Sequence, residues 1–392
     1  MKFLFAPDSF KGSVSAVEAT QLLAQAALAH FPQAQCVPLP VADGGEGTVE
    51  ALKTALGGED RAVRVKGPLG DEVQARYAAL EGGAVALEVA QASGLALLSP
   101  DALDPMNASS YGTGELLLHA LRAGAREVFI GIGGSATNDG GMGMLRALGA
   151  RFYDEGGREL AGCGADLARV ARADVSGACA LARSARIRVL CDVSNPLLGE
   201  NGATAVYGPQ KGATRETARA LEAGMANYAR VVGQAVGRDV ASFPGAGAAG
   251  GLGAALAGVL GAELSPGIDA VLDAMRFDRH LEGADLVVTG EGRIDRQSVA
   301  FGKAPTGVAR RCAARGVPVV AMVGGMGEGA QQFCQIGQAM ILPIVNGPMP
   351  LAQAMENARA LFFEAAGRLF ALLKMGAGLP GGARANEKER GG

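Results

Sequence analysis

Hydrophobic and polar positions follow a β–α–β order at the start of the chain. The apolar run KFLFA is followed by helical spacing in SAVEATQLLAQAALAHF and then by a second strand-like run, CVPLPV. This order predicts a parallel sheet, and Ser15 with Glu18 forms a capping box at the helix start. The alternation returns near the end of the chain with DLVVT, PTGVARRCAARG, VPVVAMVGG and AMILPI.

One long helix is predicted over the last apolar segment, PLAQAMENARALFFEAAGRLFALLKMG. Its apolar positions recur at helical spacing. They are Leu351, Met355, Ala358, Phe362, Ala365 and Leu369.

The middle of the chain has a different pattern. RAVRVKG, EVQARYAAL and GAVALEVA are three strand-like runs joined by turns, which favours antiparallel pairing. The predicted fold is therefore α/β with two domains. Residues 1–64 and 262–378 would form a Rossmann-like parallel-sheet domain, and residues 65–261 an inserted mixed α+β domain. The active site is expected in the cleft between them, and the polar segment 379–392 is expected to be disordered.

Composition narrows the function classes. The net charge of −3 and the absence of Trp argue against nucleic-acid binding. The six cysteines form no C-x-x-C pair, which indicates a reduced cytoplasmic protein without a zinc site. Residues 241–262 carry no charge, but they are mostly Gly and Ala, so we expect a loop leading into a buried helix and no membrane span. Glycine is abundant, at 60 of 392 residues against a usual fraction of about 7%.

The glycines cluster in loops that follow the predicted strands. These loops are PDSFKGS, ADGGEGT, IGGSATNDGG, CDVSNPL, GPQKGAT and TGEGRIDRQSVAFGKAP. Ligands of parallel α/β sheets bind beyond the carboxyl ends of the strands. Gly-rich turns present backbone N–H groups to anions, carboxylates hold Mg²⁺, and lysines neutralise a transferring phosphoryl group. Each loop alone could equally be a turn or a helix cap, but six together indicate phosphate chemistry.

Candidate roles follow from the residue types. The catalytic candidates are Asp295, Asp192 and Lys11. The candidates for substrate binding are Asp8, Ser9, Asp43, Ser135, Asn138 and Asp139. The candidates for nucleotide or phosphate binding are Gly44, Gly45, Gly133, Gly134, Lys211, Gly247, Gly250, Gly251 and Lys303. The candidate metal ligands are Glu291, Asp192 and Asp295.

The stretch at residues 289–305 is interpreted as a loop between a strand and a helix. Glu291 and Asp295 lie four residues apart, so a helical turn there would place both carboxylates on one face. Mg²⁺ between them would relieve their repulsion. The alternative is that both acids pair with Arg293 and Arg296 at the surface, which would contribute only about 0–1 kcal/mol.

Two other nucleotide-binding motifs are not fully matched by the sequence. Lys11, Lys211 and Lys303 all lack the upstream glycine of a P-loop. GAGAAG, from Gly245 to Gly250, matches the dinucleotide pattern G-x-G-x-x-G, but no convincing strand precedes it. Because GAGAAG matches this pattern, the alternative function is a nicotinamide-dinucleotide-linked oxidoreductase or a small-anion-binding protein that uses this loop.

Seven motifs together resemble the glycerate kinase type 1 family. They are APDSFKGS, VADGGEGT, GIGGSATNDGG, CDVSNPL, GPQKGA, PGAGAAGGLGAAL and TGEGRIDRQS…GK, in the family's order. The resemblance implies two α/β domains and the phosphorylation of D-glycerate with ATP and Mg²⁺. It implies 2-phosphoglycerate in preference to 3-phosphoglycerate as product, and a role in glyoxylate metabolism. It implies small-molecule partners only and leaves a homodimer open.

Overall fold

The fold is mixed α/β, and the computed structural model describes residues 1–45, 47–300 and 302–378. Glu46 of the ADGGEGT loop and the predicted disordered tail, 379–392, lie outside the described residues. The strands are β1 (Lys2–Pro7), β2 (Gln35–Pro38), β3 (Gly58–Lys66), β4 (Glu72–Leu80), β5 (Ala84–Glu88), β6 (Glu127–Gly131), β7 (Arg151–Tyr153), β8 (Arg172–Asp174), β9 (Arg186–Leu190), β10 (Glu263–Ser265), β11 (Leu286–Ile294), β12 (Val319–Met326) and β13 (Ala339–Pro343).

The α-helices alternate with these strands over most of the chain. They are α1 (Ala16–His30), α2 (Thr48–Leu56), α3 (Ala90–Ser93), α4 (Tyr111–Arg122), α5 (Met142–Ala147), α6 (Ser176–Ala182), α7 (Ala203–Tyr207), α8 (Arg215–Val236), α9 (Ala248–Gly253), α10 (Gly267–Ala274), α11 (Phe277–His280), α12 (Arg296–Ala300), α13 (Ala304–Ala314), α14 (Leu351–Glu356) and α15 (Ala358–Ala377). A π-helical segment, Ala254–Val259, continues α9.

The chain divides into two units. The first unit is Met1–Ala42 with the chain from Val271 onward, and the second is Asp43–Ala270. The first boundary between the two units therefore lies near residue 42, whereas the sequence suggested residue 64. The second falls near residue 270, where the sequence suggested residue 261. The assignment of these units as domains stays a prediction.

The sheet of the first unit has the strand order β13-β12-β11-β1-β2, and all of its pairs are parallel. Neighbouring residues of β1 point to opposite faces, and both Phe3 and Leu4 are buried, so the sheet is covered on both sides. α1 and α15 pack together in one of these layers. There Phe370 of α15 lies with its ring 5.3 Å from that of Phe3.

The sheet of the second unit has the order β10-β9-β6-β5-β4-β3. β10, β9, β6 and β5 are parallel, whereas β4 and β3 are antiparallel to their neighbours, which confirms the predicted antiparallel pairing in the middle of the chain. The EVFIG run is β6, at the centre of this sheet. Among residues 43–270, the long amphipathic helix predicted from ETARALEAGMANYARVVGQAVG is α8, which begins at a capping box formed by Thr214 and Thr217 and ends at Gly237.

The predicted loop at 289–305 is wrong over its first third. β11 continues through TGEGRI to Ile294 and pairs with β12 as far as Met326. A Cβ on Gly290 would lie 2.2 Å from the carbonyl oxygen of Met322, so this glycine allows a close strand approach and does not form a turn. Glu291 is therefore a strand residue, and it does not share a helix face with Asp295.

The predicted C-terminal helix is two helices, because α14 ends at Glu356 and α15 begins at Ala358. The predicted apolar face is correct from Ala358 onward, where it is buried. Leu351 is 75% exposed and Met355 is also exposed, so the face does not extend into α14.

The Gly- and Ala-rich stretch enters a buried helical segment, as predicted. Ala249, Gly250 and Gly251 all have positive φ, and the buried π-helical segment follows them. Among the described residues, no helix has the length and apolarity needed to cross a membrane.

Candidate active site

In the second unit, the carboxyl ends of β5, β6 and β9 meet at one edge of the sheet. Glu88 ends β5 and pairs in register with Gly131, which ends β6 and pairs with Leu190 at the end of β9. The GGSATND loop follows β6, and Asp192 follows β9. Because these strands are parallel and adjacent, the predicted substrate loop and the predicted metal ligand Asp192 leave the sheet at the same edge.

The segment Asp43–Gly45 lies over this edge. A Cβ on Gly131 would be 2.9 Å from the carbonyl oxygen of Gly44, and a Cβ on Gly133 would be 3.3 Å from the Cα of Gly45. Asp43 closes the turn, since its Oδ1 accepts a hydrogen bond from the amide of Gly45 at 3.2 Å. The predicted residues of two separate loops are thereby brought together, and glycine is required where the backbones touch.

Asp192 is held beside the same segment. Its Oδ1 accepts a hydrogen bond of 2.7 Å from the amide of Gly267, the first residue of α10. A Cβ on Gly267 would lie 1.9 Å from the carbonyl oxygen of Asp43, so the chain around Asp43 packs directly against this helix start. Asp43 and Asp192 are therefore close in the fold although they are far apart in the sequence.

The loop after β6 changes from exposed to buried within a few residues. Gly133 and Gly134 are exposed, whereas Ser135 is only 5% exposed and Asn138 is fully buried. The Nδ2 of Asn138 donates to the hydroxyl of Thr204 at 3.0 Å. The glycine pair is open to a ligand, and the predicted binding role of Asn138 would require a side chain that faces the protein interior.

Asp139 organises the polypeptide around this loop. Its carboxylate accepts hydrogen bonds from the amide and hydroxyl of Ser110 and from the amides of Gly141 and Gly143. Burial raises the pKa of Asp139, and these hydrogen bonds act in the opposite direction. All four partners donate, which favours the charged carboxylate. A direct contact between Asp139 and substrate stays a prediction, and its full burial does not favour that contact.

Lys211 is buried beneath the same loop and is only 1% exposed. Its Nζ donates to the hydroxyl of Ser135 at 2.9 Å and to the carbonyl oxygen of Thr137 at 2.6 Å. Burial lowers the pKa of Lys211 to about 7, and the nearby charge of Asp139 partly opposes this shift. The predicted phosphate contact would require Lys211 to leave these partners.

The three glycines predicted for phosphate binding in the Gly-rich stretch occupy tightly packed positions. A Cβ on Gly247 would be 2.1 Å from the carbonyl oxygen of Pro196, and one on Gly250 would be 2.1 Å from that of Thr137. Gly251 packs in the same way against Gly140. Close backbone packing thus accounts for these glycines without a ligand.

In the first unit, the loop after β1 lies beside the end of β11. The amide of Asp8 donates to the carbonyl oxygen of Gly290 at 2.8 Å, and the Oδ1 of Asp8 accepts from the amide of Ser9. Lys11 is exposed. A Cβ on Gly292 would be 3.8 Å from the backbone nitrogen of Lys11, which places the loop after β1 in contact with the end of β11 at the carboxyl edge of this sheet.

Asp295 begins α12 as its N-terminal cap. Its Oδ1 accepts hydrogen bonds from the amides of Gln297 and Ser298, each at 3.0 Å. The amide of Ser298 is the main cause of a lowered pKa of Asp295, and the positive charge of Lys303 also contributes. Asp295 is therefore ionised at neutral pH, as a proton acceptor must be.

The alternative interpretation, in which the two acids of residues 289–305 pair with Arg293 and Arg296 at the surface, agrees with the structure only in part. Arg293 lies 3.9 Å from Asp295, a distance typical of a weak exposed pair. Arg296 instead pairs with Glu328 at 2.6 Å. Glu291 is nearly buried in β11. Lys303 is half-buried just before α13, which has Pro305 in its first turn.

The carboxylates fit Mg²⁺ as single ligands and do not form a complete site. Within the described ranges, no group of three His, Cys, Asp or Glu side chains could hold a metal ion. Asp192 and Asp295 each use one oxygen to accept backbone N–H groups. Mg²⁺ commonly takes one or two carboxylates and completes its octahedron with phosphate and water oxygens. This is the type of site that these residues could provide.

The sequence interpretation did not identify two residues at the carboxyl edge of the sheet in the second unit. Glu88 is nearly buried at the end of β5, and its Oε1 accepts a hydrogen bond from the amide of Val49 at 3.2 Å. The sequence did contain a signal for Glu88, because it is a single acidic residue in the otherwise apolar run GAVALEVA. Gly267 offered no such signal, since its contact with Asp43 exists only in the folded chain.

Comparison with known proteins shows the family of the chain. The family model described as "Glycerate kinase family" matches residues 3–374. A glycerate kinase of Halalkalibacterium halodurans is 45% identical over 364 residues, which are 93% of this chain and 96% of that protein. A glycerate 2-kinase of Escherichia coli K12 is 44% identical over 377 residues, covering 96% of this chain and 99% of that protein.

A solved structure shows the same fold. A chain from Salmonella typhimurium LT2, described as a candidate glycerate kinase 2, superimposes with a TM-score of 0.87. The match has 42% sequence identity and covers 97% of this chain and all of that one. With the family model matching nearly the whole chain, this protein belongs to the glycerate kinase family of phosphotransferases.

Proposed function

We propose that the protein phosphorylates D-glycerate with ATP and forms 2-phosphoglycerate. The observation that carries the proposal is membership of the glycerate kinase family over residues 3–374. The choice of the 2-hydroxyl is supported by the 44% identity to the Escherichia coli protein named glycerate 2-kinase. A cytoplasmic location, a part in glyoxylate metabolism and a homodimer stay predictions.

Roles are proposed from exposure and charge. The glycerate carboxylate would bind at the exposed turn of Gly133 and Gly134, next to the hydroxyl of Ser135. Asp295 would accept the proton of the attacking hydroxyl, because it is only partly buried and its lowered pKa keeps it charged. Lys11 and Lys303 would neutralise charge on the phosphoryl group.

Mg²⁺ is part of the proposal as the ion that accompanies ATP. Asp192 is the favoured carboxylate ligand, and Asp295 or Glu291 would be the alternatives. When bound, the ion would neutralise phosphate charge. Activity should therefore be lost with EDTA and restored by excess Mg²⁺.

Phosphorus NMR of the product tests the position of transfer. A phosphate on the secondary hydroxyl couples to one carbon-bound proton and gives a doublet, whereas a phosphate on the primary hydroxyl couples to two and gives a triplet. We expect the doublet with D-glycerate and ATP. A triplet would contradict the 2-hydroxyl assignment, and no transfer at all would contradict the kinase proposal.

The nicotinamide alternative is not favoured. GAGAAG is preceded by bends and a turn at residues 240–244, in place of the strand that a dinucleotide site requires. Its glycines also pack closely against other backbone segments. An absorbance change with a nicotinamide cofactor and glycerate would reopen this reading.

A further inference from the structure

Lys211 lies in an unusual place for a lysine, because its ammonium is buried and hydrogen-bonded to one loop. Both bonds go to the segment after β6, one to the hydroxyl of Ser135 and one to the carbonyl oxygen of Thr137. Burial of an ammonium group is costly. A methionine of similar volume would fill the space without that cost, so packing alone does not explain a lysine here.

The chemistry of the ammonium group determines the direction of its hydrogen bonds. Lys211 can be protonated at neutral pH and below, since its pKa is about 7. In that form it has three donors and no acceptor, so the oxygen of Ser135 must accept the bond from Lys211. The hydroxyl of Ser135 has one proton, which must then be donated in another direction. In the described part of the chain, the Ser135 hydroxyl makes no hydrogen bond other than the one to Lys211.

The backbone around Ser135 is fixed by its neighbours. The amide of Leu95 donates to the carbonyl oxygen of Gly134, and the amide of Ala136 donates to that of Ser93. Ser135 also forms an isolated bridge with Gly94. The Ser135 side chain therefore has a defined position, between a buried cation and the exposed turn of Gly133 and Gly134.

We propose that Lys211 is a positioning residue that orients the Ser135 hydroxyl as a donor toward the carboxylate of glycerate. This inference rests on the proposed kinase function. A carboxylate accepts hydrogen bonds and cannot donate, so a serine whose oxygen is already occupied by a cation is matched to it. Lys211 acts only through Ser135 and does not touch glycerate or ATP.

The test is a double-mutant cycle on substrate affinity. Wild type, Lys211→Met, Ser135→Ala and the double variant are compared at pH 6.5, where Lys211 is mostly protonated, by the KM for glycerate and the KM for ATP. We expect each single variant to raise the glycerate KM about tenfold, the scale of one lost charge-assisted hydrogen bond. The double variant should also lose about tenfold, because both changes remove the same interaction. The KM for ATP should stay within about twofold.

Several outcomes would overturn the inference. A loss of about a hundredfold in the double variant would mean that the two residues act independently. An equal rise in both KM values for Lys211→Met would indicate a phosphate contact or a general structural role. If Lys211→Met does not fold, Ser135→Ala alone remains decisive, since an unchanged glycerate KM contradicts the donor role.

Controls separate this inference from the function on which it rests. Lys53 lies in the same unit and pairs with Glu50 and Asp60 at the surface, so Lys53→Met should leave both KM values unchanged. If wild type does not phosphorylate glycerate, both proposals fail. If wild type is active and the cycle is additive, only the positioning role fails.

Discussion

Two loops of similar composition have opposite environments. The β6 loop (residues 132–141) and the β11 loop (residues 295–303) both follow a parallel strand, and both combine glycine, aspartate and serine. The polar side chains of the β6 loop are buried, and those of Ser135, Asn138 and Asp139 are hydrogen-bonded to other parts of the second unit. Those of the β11 loop are mostly exposed or half-buried. The first loop is built as a rigid support, and the second keeps its charged groups available for chemistry.

The two aspartates that follow these strands show the difference most clearly. Asp139 is fully buried and accepts four hydrogen bonds, two from Ser110, which lies 29 residues away in the sequence, and two from the nearby amides of Gly141 and Gly143. Asp295 is half-buried, and within the described residues the hydrogen bonds of its side chain are all local, to the first turn of α12. Mutation should therefore affect stability at Asp139 and catalysis at Asp295.

The largest effect is expected for Asp139→Ala. Removal of the carboxylate leaves Ser110, Gly141 and Gly143 with buried donors that lack their acceptor, so the free energy of unfolding should fall by about 3 kcal/mol or more. Urea unfolding followed by circular dichroism measures this. As a matched control, Asp295→Ala should lose only about 1 kcal/mol, the value of a helix cap. Equal losses in the two variants would remove the distinction between the loops.

The next effect concerns catalysis at the β11 loop. Asparagine also caps helices well, so Asp295→Asn should leave the thermal unfolding midpoint nearly unchanged. Its amide cannot accept a proton, so kcat should fall about a hundredfold or more. Arg296→Met breaks the exposed pair with Glu328 and is the control, with kcat expected within about twofold. A kcat for Asp295→Asn within severalfold of wild type would show that this loop is structural.

These contrasts explain which features could be predicted from sequence. The parallel order and the polar strand ends were readable, because apolar runs and glycine turns are local signals. The continuation of β11 through Gly290 was hidden, since glycine pairs usually indicate turns and here they permit a close strand approach. The break between α14 and α15 also lacked a signal, because Asn357 is compatible with helical spacing.

Burial was the property that the sequence could not provide. Lys211 and Lys303 each stand in a glycine-containing loop, yet one is buried and the other is half-buried. The difference depends on residues more than sixty positions away, such as Ser135 and Thr137, which cover Lys211. No local sequence pattern indicates that contact. The candidate residues could therefore be identified from the sequence, but their individual roles could not be assigned.

A smaller effect should appear in the pH dependence of stability. The pKa of Lys211 is about 7 in the folded protein and near its ordinary value of 10.5 when unfolded. Between these values the unfolded chain binds the proton and the folded chain does not, so stability rises with pH, by up to about 1.4 kcal/mol per pH unit. Below pH 7 the cost of the buried charge is fully present.

Urea midpoints at several pH values from 6.5 to 9 measure this rise, by about 1 kcal/mol or more. Lys211→Met lacks the titrating group, so its stability should rise less with pH than that of wild type. Lys53→Met is the control and should follow wild type, because its ammonium is at the surface. Parallel curves for wild type and Lys211→Met would show that Lys211 keeps an ordinary charge state in the fold.

The smallest expected effect tests the exposed loop by its charge. The positive charge of Lys303 is one of the causes of the lowered pKa of Asp295, after the hydrogen bonds from Ser298 and Gln297. If Asp295 is the base, kcat should decline as the pH falls through the pKa of Asp295, because a protonated base cannot accept the substrate proton. Lys303→Met removes the cation and raises that pKa, so the acid limb of the kcat profile should move to higher pH by a fraction of a unit. The shift should shrink at high salt, since exposed charges are screened, whereas the hydrogen bonds from α12 would be unaffected.

Arg310→Met, a change in the neighbouring helix α13, serves as the control and should leave the acid limb of the kcat profile in place. An acid limb that does not move in Lys303→Met, although kcat falls, would assign the titration to another carboxylate and leave Lys303 with the phosphate role alone.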